Sequence, residues 1–115
     1  MNVGDVYWVE LPARGGHAQA GRRPAIIVQS DARDASLPTA LLVPLTTQLD
    51  ALRFPGTVLV EADAQNGLRR ASVALVFQLS GVDRRFIASR LGEIAEATLR
   101  QLWTALDELT GRVQS

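Results

Sequence analysis

Residues 19–28 read QAGRRPAIIV, and the interpretation of the whole chain starts from this stretch. The apolar run from Pro24 to Val28 is typical of a buried strand, and proline is tolerated as the first residue of a strand because that position can lack a ladder donor. Proline also keeps the preceding Arg23 extended, which fixes the direction of its side chain. A permanent positive charge at the start of a buried strand predicts a site for an anion.

Five further segments have the β-branched and aromatic composition of strands. They are Asp5–Leu11, Ala40–Leu45, Thr57–Glu61, Ser72–Leu79 and Phe86–Gly92. In Ser72–Leu79 the period of two puts large apolar side chains on one face and the polar Ser72 and Gln78 together on the other. We therefore expect the second face to approach a ligand or a partner.

The last part of the chain changes from a strand period to a helical one. Apolar residues recur at helical spacing from Leu99 to Leu109 and include Trp103, which we expect in the core. Gly111 stands where a helix stop is expected. Short strands followed by one helix predict a mainly β, small antiparallel barrel with a covering helix, formed as a single domain by residues 1–115.

Composition narrows the class of protein further. The chain has 115 residues, no formal net charge and no cysteine, and all 12 of its basic residues are arginine. The missing thiols exclude a disulfide framework and cysteine chemistry. The apolar runs are too short to cross a membrane and no signal peptide is recognisable, so we expect a cytoplasmic protein without a membrane partner.

Several kinds of catalytic site find little support. His17 is the only histidine, the carboxylates lack metal-ligand spacing, and a chain without lysine has no phosphate loop of the GxxxxGK type. No metal or cofactor is therefore expected, and an enzyme of this composition would act through arginine and hydroxyl groups. Two stretches fit that requirement, Gln19–Pro24 and Val43–Gln48. Taken separately, each is better interpreted as an ordinary feature, the arginine before proline as a solvated loop residue and Thr-Thr-Gln as a strand end.

The order of several motifs gives the chain a resemblance. The segments GDVYWVEL, QAGRRPAIIVQSD, PLTTQ and SVALVFQL, followed by a terminal helix, resemble the MazF/PemK family of toxins from toxin–antitoxin systems. The similarity covers nearly the whole chain. Its specific part is the Q-x-G-x-R-P element after the strand that begins at Gly4, whereas the helix is not specific.

The resemblance implies a fold, an activity and partners. Members of this family have an SH3-like barrel (the MazF/CcdB-type toxin fold), form homodimers, and are neutralised by a cognate antitoxin. They are metal-independent, sequence-specific endoribonucleases that cleave single-stranded mRNA. Arg23 and Thr46 match the family's catalytic pair, and in the implied mechanism the 2′-hydroxyl of the RNA attacks the adjacent phosphorus.

Further residues are predicted to bind the substrate. They are Gln19, Gly21 and Arg22 in the first loop, Thr47 and Gln48 after the third strand, and Ser72 and Gln78 on the fifth. Arg53, Arg69 and Arg70 are additional candidates for RNA contacts, although Arg69 and Arg70 could equally form a solvated turn. One position departs from the family pattern, since Ala18 replaces a glutamate, and His17 beside it is either a bystander or a substitute acid–base group.

A second hypothesis assigns the same fold to a protein that binds a partner without catalysing a reaction. Related toxin folds poison DNA gyrase by binding it, and a plain interaction barrel is also conceivable. The pair of Arg23 and Thr46 favours cleavage, because a module that only binds has no need of two groups directed at one phosphate.

Overall fold

The computed structural model describes residues 1–11, 21–31 and 36–112 of the chain. Within these ranges it contains seven strands and the C-terminal helix. The strands are β1 (Asp5–Leu11), β2 (Gly21–Ile27), β3 (Thr39–Thr46), β4 (Thr57–Val60), β5 (Ser72–Leu75), β6 (Ser80–Asp83) and β7 (Ile87–Glu93), and the helix is α1 (Glu96–Thr110). The mainly β fold with a terminal helix is thus confirmed. The strand β6 was not predicted.

All recorded strand pairs are antiparallel. The order across the sheet is β4-β5-β3-β2-β1-β7, and β6 pairs with β3. Among the described residues this path is open at β4 and at β7. The predicted barrel is therefore not closed by hydrogen bonds, and the sheet is better described as an open antiparallel one.

The segment predicted as one strand, Ser72–Leu79, is interrupted. Leu42 pairs with Ser80 and Leu45 pairs with Ala74, so β3 advances by three residues while its partner advances by six. The extra residues form a 3-10 turn, Val76–Gln78. Pro44 faces this interruption, and a proline cannot donate to a continuous ladder. Because the turn breaks the period of two, the expectation that Ser72 and Gln78 share one face is wrong.

Pro24 is also placed differently from the expectation. The strand β2 begins at Gly21, so Pro24 lies inside the strand and pairs with Trp8 of β1. The strand β2 pairs with β3 only from Ala25 onward. Pro24 therefore has a paired neighbour on β1 and none on β3. A proline is acceptable where one edge of a strand is unpaired.

The core lies between the sheet and α1. Val6, Ile26, Val43, Leu45 and Leu102 are among its buried members. Burying such side chains stabilises the fold by roughly 1.5–3 kcal/mol each before the entropy of ordering is subtracted.

The predicted helix is confirmed. Gly111 caps it in the left-handed region at φ 76°, and Glu96 and Arg100 form the i,i+4 ion pair at 3.4 Å. Trp103 departs from the expectation, because it is 37% exposed and does not lie in the core. No helix among the described residues is long and apolar enough to span a membrane.

Two ion pairs tie the start of the chain to distant elements. Arg90 of β7 donates to Oδ1 of the buried Asp5 at 3.2 Å, and the backbone N–H of Asn2 donates to Oδ2 at 2.8 Å. Arg84 donates to Asp31 at 2.8 Å. This hydrogen bond, together with one from the amino group of Met1, lowers the pKa of Asp31, and the Asp5 carboxylate raises the pKa of Arg90.

Candidate active site

Arg23 and Thr46 come together where β2 and β3 leave their shared ladder. The last recorded pair of these strands is Ala25 with Pro44. Continuing the antiparallel register by two residues on each strand brings Arg23 opposite Thr46. Both residues also line the same two cavities. The convergence expected from the sequence is therefore present.

The guanidinium of Arg23 contains a donor that the described part of the protein does not satisfy. Arg23 is half-buried, and its Nε is buried without a hydrogen-bond partner among the described residues. An unsatisfied buried donor typically costs about 1–3 kcal/mol. An acceptor supplied by a ligand would remove this cost, and an anionic acceptor would do so most effectively.

The hydroxyl of Thr46 is fixed by its own turn. Thr46 is 6% exposed, and its Oγ1 accepts a hydrogen bond from the backbone N–H of Gln48 at 3.2 Å. A hydroxyl can accept and donate at the same time, so the Thr46 proton is still available to an acceptor in the cavity.

The first cavity, which we call the arginine cavity, has a volume of about 480 Å³. Among the described residues, its polar lining is basic and hydroxylic and includes no carboxylate. These lining residues are Trp8, Arg22, Arg23, Pro24, Leu45, Thr46, Thr47, Gly67, Leu68, Arg69, Arg70, Ser72 and Leu91. Because the described wall carries positive charge without negative charge, it suits an anionic group such as phosphate.

The loop that carries Arg69 and Arg70 is fixed to the sheet. The buried Asn66 donates to the carbonyl of Glu61 and accepts from the backbone N–H of Leu68 at 2.9 Å. A Cβ at Gly67, which has φ 71°, would collide with the carbonyl of Leu91. The loop therefore lies directly on β7, and it holds the two arginines at the cavity edge before any ligand binds.

The arginines of this cavity differ from the other described arginines. Seven of the ten described arginines lie within 4.0 Å of a carboxylate oxygen. Within residues 1–11, 21–31 and 36–112, Arg23, Arg69 and Arg70 are the three without such a partner, and all three line the arginine cavity. Arg22, the fourth arginine there, stacks on Trp8 at 4.9 Å and reaches Glu10 only at 4.0 Å.

The second cavity, which we call the aromatic cavity, lies on the other side of Arg23 and Thr46 and has a volume of about 410 Å³. Its lining combines two phenylalanine rings with amides and one ion pair. The residues are Arg23, Thr46, Gln48, Asp50, Ala51, Arg53, Phe54, Leu75, Phe77 and Gln78. Asp50 is engaged by Arg53 at 2.7 Å, so its charge is compensated.

The other predicted substrate-binding residues divide between the two cavities. Arg22, Thr47 and Ser72 line the arginine cavity, whereas Gln48 and Gln78 line the aromatic cavity. The Ser72 hydroxyl already donates to the carbonyl of Arg70 at 3.1 Å, which leaves it only as an acceptor. Gly21 lines neither cavity.

Gln19, His17 and Ala18 lie outside the described residues. In the described part of the chain, no group of three metal-ligating side chains is close enough to hold an ion.

Sequence reasoning missed several lining residues. Phe77 was assigned to the core face of a continuous strand, and the turn that exposes it was not foreseen. Phe54 precedes Pro55 and Gly56, and an aromatic residue beside a Pro-Gly turn is a signal of exposure that could have identified it. Trp8 lies on the predicted strand Asp5–Leu11 and borders the arginine cavity, although it was not named as a candidate.

Fold and site together define a small antiparallel β protein in which guanidinium groups without a carboxylate partner among the described residues gather at one cavity. A family model described as the PemK-like, MazF-like toxin of type II toxin–antitoxin systems matches residues 2–110. The chain belongs to this family, and the resemblance found in the sequence is confirmed.

Curated relatives and solved structures agree with this assignment. The chain is 28% identical to endoribonuclease EndoA of Bacillus subtilis over 103 residues, which are 90% of this chain and 88% of that protein. It is 29% identical to endoribonuclease MazF of Staphylococcus epidermidis over 104 residues, 90% and 86% of the two chains. The crystal structure of MazF from Deinococcus radiodurans superposes with a TM-score of 0.81 at 25% identity and covers 96% of each chain.

Proposed function

We propose that this protein is a metal-independent endoribonuclease toxin that cleaves single-stranded mRNA at specific sequences, with Arg23 and Thr46 as its catalytic pair. The observation that carries the proposal is that both residues line the two neighbouring cavities, where Arg23 presents a buried Nε donor that no described residue satisfies. The curated relatives EndoA and MazF are endoribonucleases, which is the class of enzyme predicted from the sequence.

The proposed reaction is an internal transfer at phosphorus. The 2′-oxygen of the RNA attacks the adjacent phosphorus, the bond from phosphorus to the 5′-oxygen breaks, and the products end in a 2′,3′-cyclic phosphate and a 5′-hydroxyl. The proton of the 2′-hydroxyl is lost and the leaving 5′-oxygen gains one, so the balance requires no water and no metal. DNA lacks the attacking hydroxyl and is not a substrate.

Arg23 and Thr46 act through electrostatic stabilisation in this scheme. Negative charge grows on the non-bridging phosphoryl oxygens as the transition state forms, and a guanidinium already in position stabilises it more than it stabilises the ground state. The Thr46 hydroxyl donates to the same group and orients it. Donors held by strands need no reorganisation during the reaction, which is why the placement of Arg23 within β2 and of Thr46 at the end of β3 is suited to catalysis.

The remaining predicted residues position the strand of RNA. We assign phosphate and sugar contacts to Arg22, Thr47, Ser72, Arg69 and Arg70 in the arginine cavity. Gln48 and Gln78 would contact base edges in the aromatic cavity. Gln19 and Gly21 complete the predicted set from the first loop. Since phosphate contacts carry no sequence information, specificity falls to the amide side chains and to the surface around them.

The proposed assembly includes a second copy of the chain and a cognate antitoxin in the cytoplasm. The chain also resembles MazF in a MazE–MazF structure from D. radiodurans, with a TM-score of 0.77 at 25% identity. Several large apolar side chains are exposed in the described part of the chain, which supports an interface; they include Leu37, Leu41, Leu59, Trp103 and Leu109. Sedimentation at micromolar concentration should give a dimer, and a monomer alone would contradict this part.

The test of the function is cleavage of a defined transcript in excess EDTA, followed by chemical mapping of the ends. Cuts at a recurring sequence with cyclic phosphate and 5′-hydroxyl ends are expected. A folded protein that leaves RNA intact would overturn the proposal and favour a toxin that acts only by binding, as gyrase poisons do.

A further inference from the structure

Two phenylalanine rings are exposed on the wall of the aromatic cavity. Phe54 is 44% exposed and Phe77 is 42% exposed, and their ring centroids lie 5.9 Å apart with an interplanar angle of 64°. Single exposed apolar side chains are common on proteins. A pair of rings in contact, beside a half-buried arginine with an unsatisfied donor, requires a more specific account.

The backbone holds this aromatic pair in place. The N–H of Phe54 donates to Ala51 at the end of the 3-10 turn Leu49–Arg53, and the N–H of Phe77 donates to Gly56 at 3.2 Å. The turn Val76–Gln78 is thus bonded to the short segment that follows Phe54. Gly56 is buried with φ 71°, and a Cβ there would collide with Leu109 of α1. The rings therefore project from a support packed against the helix.

A guanidinium extends the planar surface. Arg53 lies over the Phe54 ring at 4.3 Å and is anchored by Asp50, both through its carboxylate and through its carbonyl at 3.1 Å. Planar rings and guanidinium groups are the surfaces on which proteins stack unpaired bases, because every base has a π-face.

We propose that Phe54 and Phe77 form a stacking subsite for the unpaired base of a nucleotide adjoining the scissile phosphate. The proposal rests on the proposed function, since Arg23 and Thr46 line the same cavity and would hold that phosphate. Because Arg23 and Thr46 line both cavities, a base that adjoins the bound phosphate can enter the aromatic cavity. Gln48 and Gln78, which carry both donors and acceptors, stand beside the rings and contact the edge of the same base.

A base fits this cavity better than a protein side chain does. The cavity continues directly into the phosphate site through Arg23 and Thr46, whereas an antitoxin segment has no reason to need that continuity. Among the described residues of its lining, Asp50 is the one carboxylate, and it is compensated by Arg53, so that it does not repel an RNA strand. In this scheme the arginine cavity binds the phosphate backbone of the RNA, and the aromatic cavity binds a base.

The experiment measures kcat/KM on a short RNA that contains one mapped cleavage sequence. Matched RNAs carry an abasic site at each nucleotide flanking the cut in turn. For the unaltered protein, one of these positions should lower kcat/KM by roughly 5- to 150-fold, the range expected for one stacked base. Phe54→Leu and Phe77→Leu, which keep apolar bulk but remove the ring, should lower kcat/KM on intact RNA and largely abolish the effect of that abasic site.

Leu52→Ala is the matched control, because Leu52 lies on the same 3-10 turn with 42% exposure and does not line the cavity. It should leave both the rate and the abasic effect unchanged. If the leucine variants cleave like the unaltered protein, the stacking subsite is overturned while the nuclease function stands. If those variants lose only neutralisation by antitoxin, the proposal is equally overturned and the rings belong to a protein interface. Failure of the unaltered protein to cleave any RNA would refute the function itself.

Discussion

The arginines that line the arginine cavity differ in role from the two arginines that pair with Asp5 and Asp31. Arg90 binds the buried carboxylate of Asp5, Arg84 binds the partly buried carboxylate of Asp31, and each pair joins elements far apart in sequence. Arg23, Arg69 and Arg70 have no carboxylate within 4.0 Å in the described part of the protein.

This difference accounts for the proposed binding of RNA by a chain with no net charge. Compensated arginines contribute to stability and leave no field, whereas uncompensated arginines gathered at one cavity produce a local positive potential. The stability of the first group and the activity of the second should therefore be separable by mutation.

The largest effect is expected for Arg23→Ala. Loss of one preorganised donor at the phosphoryl oxygens should lower kcat by about 10²–10³-fold. The free energy of unfolding should stay the same or rise, because a buried unsatisfied donor is removed along with the side chain. Single-turnover cleavage and urea unfolding measure the two quantities.

Arg100→Ala provides the control for Arg23→Ala. Arg100 is an exposed arginine on α1 that pairs with Glu96 and lines neither cavity of the site. Its replacement should change neither quantity appreciably. Equal losses of activity in the two variants would mean that total charge matters and the cavity does not.

Asp5→Ala should give the opposite result. The substitution removes the acceptor of Arg90 and of the Asn2 N–H from a buried position, and hydrogen bonds to charged groups contribute about 1.5–3 kcal/mol each. We expect a loss of that order in urea unfolding, with kcat per folded molecule unchanged. Glu93→Ala is the control, because this exposed carboxylate lies 3.9 Å from Arg90 and should alter stability by less than about 0.5 kcal/mol. A defect of Asp5→Ala in catalysis would contradict the division between the two regions.

Asp31→Asn should reveal a smaller, pH-dependent contribution. The pKa of Asp31 is lowered in the folded state, so its stabilisation is present above the unfolded value near 3.8 and is lost as the pH falls through the folded-state pKa. The variant should be less stable by up to about 1 kcal/mol near neutrality, since both partners are a quarter exposed. The difference in Tm should shrink as the pH drops below 3.8. A difference that grows in acid would contradict the assignment.

Arg69→Ala and Arg70→Ala should produce the smallest change. Each lost phosphate contact should reduce the slope of log Kd against log salt by about 0.7, the value typical of single strands. Binding is measured with RNA that carries a 2′-deoxy nucleotide at the cut and so cannot react. A slope equal to that of the unaltered protein would assign these two residues to a solvated turn.

The sequence predicted the parts of the molecule that depend on local pattern. Strand β1, the helix α1 and its stop at Gly111 follow from periodicity and capping, and the pairing of Arg23 with Thr46 follows from the family resemblance. The 3-10 turn Val76–Gln78 could not be predicted, because it lies opposite Pro44 of β3, and this neighbourhood exists only once the strands have paired.

The aromatic cavity was missed for the same reason. Phe77 fits a strand pattern as an inward residue, and only the turn exposes it. The distinction between paired and unpaired arginines was also invisible in the sequence, since the partners of Arg84 and Arg90 are 53 and 85 residues away. Contacts over such separations depend on topology, which composition and spacing do not specify.

The most direct test combines Arg23 with the phosphate it is proposed to hold. Single-turnover cleavage is measured on an RNA whose scissile linkage carries sulfur in place of one non-bridging oxygen, as each separate diastereomer. The unaltered protein should be slowed by sulfur in one diastereomer, and Arg23→Ala should show little further slowing by the same substitution, because the contact is already lost. If sulfur slows Arg23→Ala as much as it slows the unaltered protein, and does so in both diastereomers, then Arg23 does not touch the reacting phosphate. That result would contradict the account.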